Sequence, residues 1–302
     1  MRSIRSIENK AIGSSQKAAM RAIEDVGEMQ RWSEAERCAG RRIVFVPTMG
    51  FLHDGHLSLV REGKKRGDRL VVSIFVNPAQ FGPNEDFAAY PRDPGRDREL
   101  LEKEKVDLLF SPSADAMYPK NSQAYVEVEQ LSRPLCGPFR PGHFRGVATV
   151  VTKLLNIVRP HAALFGEKDY QQLQVVRRLV RDLNLDVEIV GHPTVREKDG
   201  LAMSSRNSYL NGEERSAALS LYRSLKKAES LVRQGQRESR RIVEVAEAEI
   251  GKEPLARVEY IEVCDPESLE PVEIVGERAL LALAVRIGKT RLIDNIILQV
   301  EK

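Results

Sequence analysis

The feature that most restricts the fold is a regular alternation of short apolar runs with helical patterns. The segment RRIVFVPTMG is a run of β-branched and aromatic residues stopped by Pro47 and Gly50, which predicts a buried strand entering a turn. A helix-like stretch at Ile23 to Arg37 precedes it, and further strand-like runs stand at Arg69 to Val76, Val106 to Phe110, Ala162 to Phe165 and Val187 to Val190. Between these runs lie the helical patterns HLSLVREGKKRG, DRELLEKEK, GVATVVTKLLNIV and YQQLQVVRRLVRDL. Strands that alternate with helices imply a parallel sheet covered on both faces. The expectation is an α/β fold, a Rossmann-like doubly wound parallel sheet.

The pattern changes after His192. Two helices, EERSAALSLYRSLKKAESLVRQ and ESRRIVEVAEAEI, separate near Gly235, and strand-like runs follow at Val258 to Val263, Ala279 to Val285 and Asn295 to Val300. Helices followed by strands predict a smaller C-terminal α+β domain, with the boundary near Val195. The chain thus divides into residues 23–194 and 195–302, preceded by an N-terminal extension over 1–22. That first stretch carries five basic residues and one acidic residue, a bias shared with transit peptides. No cleavage pattern follows it and Met20 can serve as a later start, so a frayed extension is the simpler expectation.

A chain of 302 residues with 42% hydrophobic and 30% charged residues is long enough for a sizeable core and excludes a disordered or fibrous polymer. Lys and Arg total 47 against 44 Asp and Glu, a net charge of +3, which gives no footprint for nucleic acid as the main partner. No window approaches 18 consecutive apolar residues, so no membrane span is expected. Cys38, Cys136 and Cys264 form neither a CxxC nor a close pair, which fits a reducing, cytoplasmic setting.

The most informative segment is VPTMGFLHDGHLSLV, Val46 to Val60, because strand, glycine turn and helix follow in the order by which an open parallel sheet builds a ligand crevice. Gly50 and Gly55 have Walker A spacing, but His56 and Leu57 stand where Lys and Ser or Thr belong, so this is not a P-loop. What remains is His53-Asp54-Gly55-His56 at a helix N-terminus. Free N–H groups and the helix dipole attract anions there, and two imidazoles can donate to oxygens that gain charge in phosphoryl transfer. A bare HxGH is equally compatible with an N-cap and a surface histidine. A zinc site lacks a third ligand nearby.

HxGH after the first strand resembles the HIGH-type signature of the nucleotidyltransferase superfamily, shared with class I aminoacyl-tRNA synthetases. The longer string PTMGFLHDGHLSLV is similar to the pantothenate synthetase (pantoate–β-alanine ligase) family. The segments SIFVNPAQFGPNEDFAAYPR, RPGHFRGVATVVTKLLNIVRP, LFGEKDYQQLQVVRRLVRDL and VREKDGLAMSSRNSYL carry the same resemblance, in order, from about Val46 to Leu210. It implies ATP-dependent condensation of D-pantoate with β-alanine to pantothenate, AMP and pyrophosphate through pantoyl adenylate. It also implies a homodimer.

Carried over motif by motif, the resemblance implies that Met49, Gly50, Phe51, Leu52, His53, Asp54, Gly55 and His56 hold ATP, with His56 as an imidazolium proton donor. In NPAQF, Gln80 would bind pantoate, and Gln172 would be a second contact. In the GEKD run, Gly166, Glu167, Lys168 and Asp169, the lysine would meet phosphate or carboxylate and the aspartate the ribose or metal-bound water. On its own, GEKD reads as a solvated turn. Met203, Ser204, Ser205 and Arg206 resemble the mobile KMSKS-type loop and would close over the phosphates, with Val195 at adenine; without the resemblance, MSSR is a helix N-cap before Tyr209. The catalytic set is then His53, His56, Lys168, Ser204, Ser205 and Arg206. Mg2+ follows from ATP chemistry, with Asp97 as candidate ligand. The chain departs from the family pattern at Asp54, where Glu is common, at Phe51, where Ala is usual, and at Arg96, where some members carry an acid. A nucleotidyltransferase, a tRNA-binding module and a non-catalytic ATP sensor are the other classes compatible with HxGH.

Overall fold

The computed structural model of the chain describes residues 19–83 and 85–300. Its larger part is a six-stranded sheet of β1 (Arg21–Ile23), β2 (Ile43–Thr48), β3 (Arg69–Ile74), β4 (Leu108–Phe110), β5 (Ala162–Gly166) and β6 (Glu188–His192). Every pairing is parallel and the order is β1-β4-β3-β2-β5-β6. The connecting helices are α1 (Val26–Cys38), α2 (Asp54–Gly63), α3 (Pro94–Lys103), α4 (Ala114–Met117), α5 (His143–Val158) and α6 (Tyr170–Asp182). From β2 the chain builds outward to β3 and β4 on one side and, later, to β5 and β6 on the other. The strand order therefore reverses between β2 and β5, and a crevice opens at their carboxyl ends.

Both faces of the sheet are buried, which is why its strands read as unbroken apolar runs. Ile43 and Phe45 of β2 enter a core with Met29 of α1 and Val151 and Leu155 of α5. Val44 and Val46 point the other way, into a second core with Leu59 and Val60 of α2 and Leu101 of α3. The doubly wound expectation holds.

The sheet begins earlier than the apolar pattern suggests. Met20 is buried, and Arg21 and Ala22 pair with Leu108 and Leu109 of β4, so the extension expected over 1–22 stops short of Arg21. Residues 1–18 of that expectation lie outside the described residues. Ile23 belongs to this edge strand, and α1 starts only at Val26, where the Asp25 side chain accepts from the Glu28 N–H as N-cap.

The C-terminal part contains α7 (Gly212–Arg233), α8 (Ser239–Ile250) and an antiparallel sheet of β7 (Ala256–Cys264), β8 (Arg278–Ile287) and β9 (Thr290–Gln299), in that order. Leu281, Leu283 and Val285 of β8 pack with Leu221 and Leu225 of α7 and Ile242 of α8. The alternate residues Leu280 and Ala282 join the core shared with α5 and α6, so the small sheet is covered on both sides. β9 starts well before the expected Asn295, because Arg291 and Asp294 interrupt its apolar pattern yet are ion-paired, Arg291 with Glu259 of β7 and Asp294 with Arg196 outside the sheet.

One glycine fixes the approach of α5 to the crevice. A Cβ on Gly146 would lie 2.2 Å from the Ala79 carbonyl oxygen and 2.6 Å from Gln80 Cα, so only glycine lets this helix back the short 3-10 turn Pro78–Gln80.

Candidate active site

The crevice between β2 and β5 is a cavity lined by Thr48, Met49, His53, Gly55, His56, Gln80, Tyr90, Arg140, His143, Gly166, Lys168, Asp169, Gln172, Val195 and Met203 to Arg206, among others. Most of the residues singled out from the sequence converge here. Gly50, Phe51, Leu52, Asp54, Glu167 and Asp97 do not line it.

The turn after β2 explains that division. Gly50 and Phe51 have φ of 80° and 49°, a left-handed pair that reverses the chain. The Phe51 and Leu52 N–H groups donate to Asp97 Oδ2 and Oδ1 at 2.7 Å each. Asp97 is 1% exposed. It lines a second cavity behind the turn, with Phe87, Arg92 and Pro94. Its carboxylate is thus a clamp for the turn, and the expected metal ligand Asp97 does not line the crevice. For the same reason the Phe51 and Leu52 amides are not free donors for a phosphate.

Helix α2 starts at this turn with a reciprocal cap made by its two histidines. His53 Nδ1 accepts from the Gly55 N–H at 3.2 Å, and His56 Nδ1 accepts from the His53 N–H at 3.4 Å. The ring centroids are 4.1 Å apart. Because both Nδ1 atoms accept, each neutral ring carries its proton on Nε2. Burial, then the positive charge of Lys168, lowers His53 to about 4. Burial, His53 and Lys168 hold His56 well below the usual histidine value. Without ligand, burial and the neighbouring charge therefore favour the neutral form of both rings, with the Nε2–H as the available donor.

Opposite, the end of β5 delivers Lys168 and Asp169 on a single 3-10 turn, and the first turn of α6 delivers Gln172. The side chains of these three make no hydrogen bond or ion pair among the described residues. The neighbouring Gln171 faces away and is consumed structurally, donating to the Leu131 and Pro134 carbonyls and accepting from the Cys136 N–H.

Gln80 sits in a network that sequence reasoning did not anticipate. Its Oε1 accepts from Asn77 Nδ2 at 3.0 Å and its Nε2 donates to Met49 Sδ at 3.1 Å. His143 Nδ1 lies 2.8 Å from the Gln80 carbonyl oxygen, and Arg140 Nη1 lies 3.0 Å from His143 Nε2. Arginine can only donate, so His143 accepts at Nε2 and donates from Nδ1. Burial and the Arg140 charge push His143 down to about 3. Arg140 itself is held by two bonds to Glu85. The RPGHF string contained Arg140 and His143, but nothing local marked them as site residues.

The remaining wall is the loop from Val195 to Arg206. Met203 N–H donates to the Val195 carbonyl at 3.0 Å, closing a hairpin. Ser204 Oγ accepts from the Arg206 N–H and Ser205 Oγ donates to the Phe51 carbonyl. Arg206 makes two bonds to Asp86, at 2.8 and 3.0 Å, and lies over the Tyr90 ring.

The sequence profile described as Pantoate-beta-alanine ligase matches residues 21–297. A pantothenate synthetase of Thermotoga neapolitana is 57% identical over 92% of this chain and 100% of its own length. One from Geobacter sulfurreducens is 56% identical over 94% of this chain and 100% of its own. Among solved structures, a pantothenate synthetase of Thermus thermophilus superposes with a TM-score of 0.88 at 47% identity, covering 92% of this chain and 99% of that one. A pantoate-beta-alanine ligase of Francisella tularensis, complexed with β-γ ATP and β-alanine, gives 0.77 at 34% identity over 92% and 98% of the two chains.

Two outcomes follow from the geometry. Asp97→Ala orphans two N–H groups of the turn and should lower unfolding free energy in EDTA by about 1–3 kcal/mol for each. If the metal-free protein lost no stability, the clamp role would be wrong. The depressed histidines also set a pH dependence. Between pH 6.5 and 4 the unfolded chain binds a proton at His53 that the folded protein does not. Stability from this group is therefore complete above 6.5 and lost as pH falls toward 4, with a slope of at most about 1.4 kcal/mol per pH unit. Urea titrations of His53→Asn, which keeps an N-cap side chain, should show a shallower acid slope than wild type.

Proposed function

The chain belongs to the pantoate–β-alanine ligase family and condenses pantoate with β-alanine at the expense of ATP; from that premise we propose that it does so through pantoyl adenylate, made and consumed in this one cavity. The observation that carries the reading is the meeting of Lys168, Asp169 and Gln172, whose side chains are unpaired among the described residues, with the Nε2–H groups of His53 and His56 at the point where the strand order reverses.

A carboxylate is a poor electrophile, so the first step makes it a better one. A carboxylate oxygen of D-pantoate attacks the α-phosphorus, the bond from that phosphorus to the bridging oxygen breaks, and its electron pair leaves with pyrophosphate. The β-alanine amine then attacks the acyl carbon, AMP leaves from it, and the amide nitrogen loses its extra proton. Neither step needs a covalent bond to the protein. Each needs alignment and donors aimed at oxygens that gain charge.

In this reading the triphosphate lies along the N-terminus of α2 and receives the Nε2–H donors of His53 and His56, whose neutrality avoids burying two further cations. Lys168 supplies the point charge between α-phosphate and pantoate carboxylate. Gln80 and Gln172 face the pantoate from opposite walls, and their amides can both donate to and accept from hydroxyls. Val195 and Met203 border the nucleotide. Ser204, Ser205 and Arg206 close over the phosphates, with Arg206 leaving Asp86.

Magnesium fits the donor set modestly. Asp169 presents a carboxylate with no partner among the described residues, a hard oxygen ligand, and one or two carboxylates plus phosphates is the usual Mg2+ arrangement. When bound, the ion would neutralise phosphate charge. The same reading assigns residues 23–194 to nucleotide and pantoate binding and 195–302 to a lid, and includes a homodimer in the cytoplasm.

Pyrophosphate exchange into ATP, with each substrate supplied separately, tests the route. Exchange should require pantoate and not β-alanine; exchange indifferent to pantoate would falsify the adenylate. In the same assay His56→Ala should exchange about 10²-fold more slowly, as for loss of a transition-state donor. Normal turnover by that variant would remove His56 from the machinery.

A further inference from the structure

We propose that Asn295 is a positioning residue for Lys168: its side-chain amide, on β9, sets the backbone turn that carries the lysine into the cavity. The inference rests on the reading of Lys168 given above and goes beyond it to a residue of the C-terminal sheet that does not itself line that cavity.

Asn295 Nδ2 donates to the carbonyl oxygens of both Glu167 and Lys168, at 2.9 Å each. Two acceptors fix the amide orientation, because only its NH2 end carries two donors. The 3-10 turn Glu167–Asp169 has no side-chain cap of its own and follows directly on β5. The Lys168 ammonium makes no hydrogen bond or ion pair among the described residues. Nothing at the tip of the side chain therefore holds the lysine before substrate arrives. Where it starts is decided at its backbone, and Asn295 is the side chain that grips that backbone.

Asn295 is itself immobilised. It is buried and pairs across the ladder with Ala282 of β8. Its N–H donates to Asp294 Oδ1 at 2.8 Å. The Asp294 side chain, 1% exposed, accepts two bonds from Arg196 at 2.6 and 2.9 Å. Arg196 also donates to the Gly200 carbonyl and lies over the Tyr222 ring. A buried ion pair is poor evidence of stability, since desolvation offsets much of the attraction, but it does enforce one geometry. Consecutive residues of β9 thus hold the hairpin before Met203 through Asp294 and the Lys168 turn through Asn295. The two walls that must close on one nucleotide share a single rigid base.

The consequence is catalytic and local. Without the amide, two carbonyls of the turn lose their donors and Lys168 departs from its alignment with the phosphate. A displacement on the order of 1 Å in a positioned group costs about 10²-fold in rate. Pyrophosphate exchange with ATP and pantoate would be measured for wild type, Asn295→Ala, Lys168→Gln and the double variant, with thermal unfolding of each. Asn295→Ala should lower the exchange rate constant about 10- to 100-fold, leave the KM values for ATP and pantoate little changed, and add nothing in the Lys168→Gln background. Asn295→Ser, which keeps one donor, should fall between alanine and wild type. A purely structural asparagine would lower the rate equally in both backgrounds. Such additivity, wild-type exchange by folded Asn295→Ala, or failure of both Asn295 variants to fold would each overturn the proposal. Full exchange by Lys168→Gln would instead overturn the reading of the lysine, a result separate from any behaviour of Asn295→Ala.

Discussion

The clamp between Asp97 and the turn after β2 is the constraint on which the site depends. A strand that runs straight into a helix must reverse within a few residues, and here the reversal uses left-handed backbone at Gly50 and at Phe51. A non-glycine residue in that region carries a conformational cost and persists only where surroundings over-determine it. Asp97 supplies the determination, gripping Phe51 and Leu52 by their N–H groups from the start of α3. With the turn fixed, α2 must begin directly after His53, and its N-cap and first turn present both imidazoles to the crevice. Moving the clamp would move both histidines of the crevice wall.

The histidines illustrate how a cap and a functional group can be one device. Each Nδ1 satisfies a backbone N–H, which locks the ring and the tautomer together. The cap would work with Asp or Ser at His53, but neither would leave an outward donor. Burial and the neighbouring lysine keep the pair neutral. An arriving polyanion then meets oriented donors with no proton to be gained first, which is the sense in which such a wall is preorganised.

Much of this was legible in the sequence, and the exceptions share a cause. The parallel sheet showed itself because strands buried on both faces need continuous apolar runs, as in IVFV and RLVVSI. HxGH, GEKD and MSSR were legible because each stands where a strand or hairpin ends. Asp97 is visible as a carboxylate near the right place, but sequence does not show that the backbone of Phe51 and Leu52 takes both its oxygens. Asp294 is hidden for the opposite reason. A polar residue in the middle of β9 looks like the boundary of an apolar run, which starts only at Asn295, until the strand is paired and the ion pair with Arg196 is formed. The first strand was missed because three residues at a sheet edge leave almost no pattern.

The near balance of charge acquires a spatial meaning at the cavity. Two arginines border it, and both are already matched: Arg140 with Glu85 and Arg206 with Asp86, two adjacent acids on one loop. Leaving either guanidinium unpaired at such burial would cost far more than an exposed charge does. Acids that neutralise them before ligand arrives therefore permit a strongly basic lining without destabilising the fold. Any anion that engages Arg206 must compete with Asp86, so the free energy gained is the difference between two pairings, not the full attraction. Lys168 has no ion-pair partner among the described residues, so its charge is not committed in the same way.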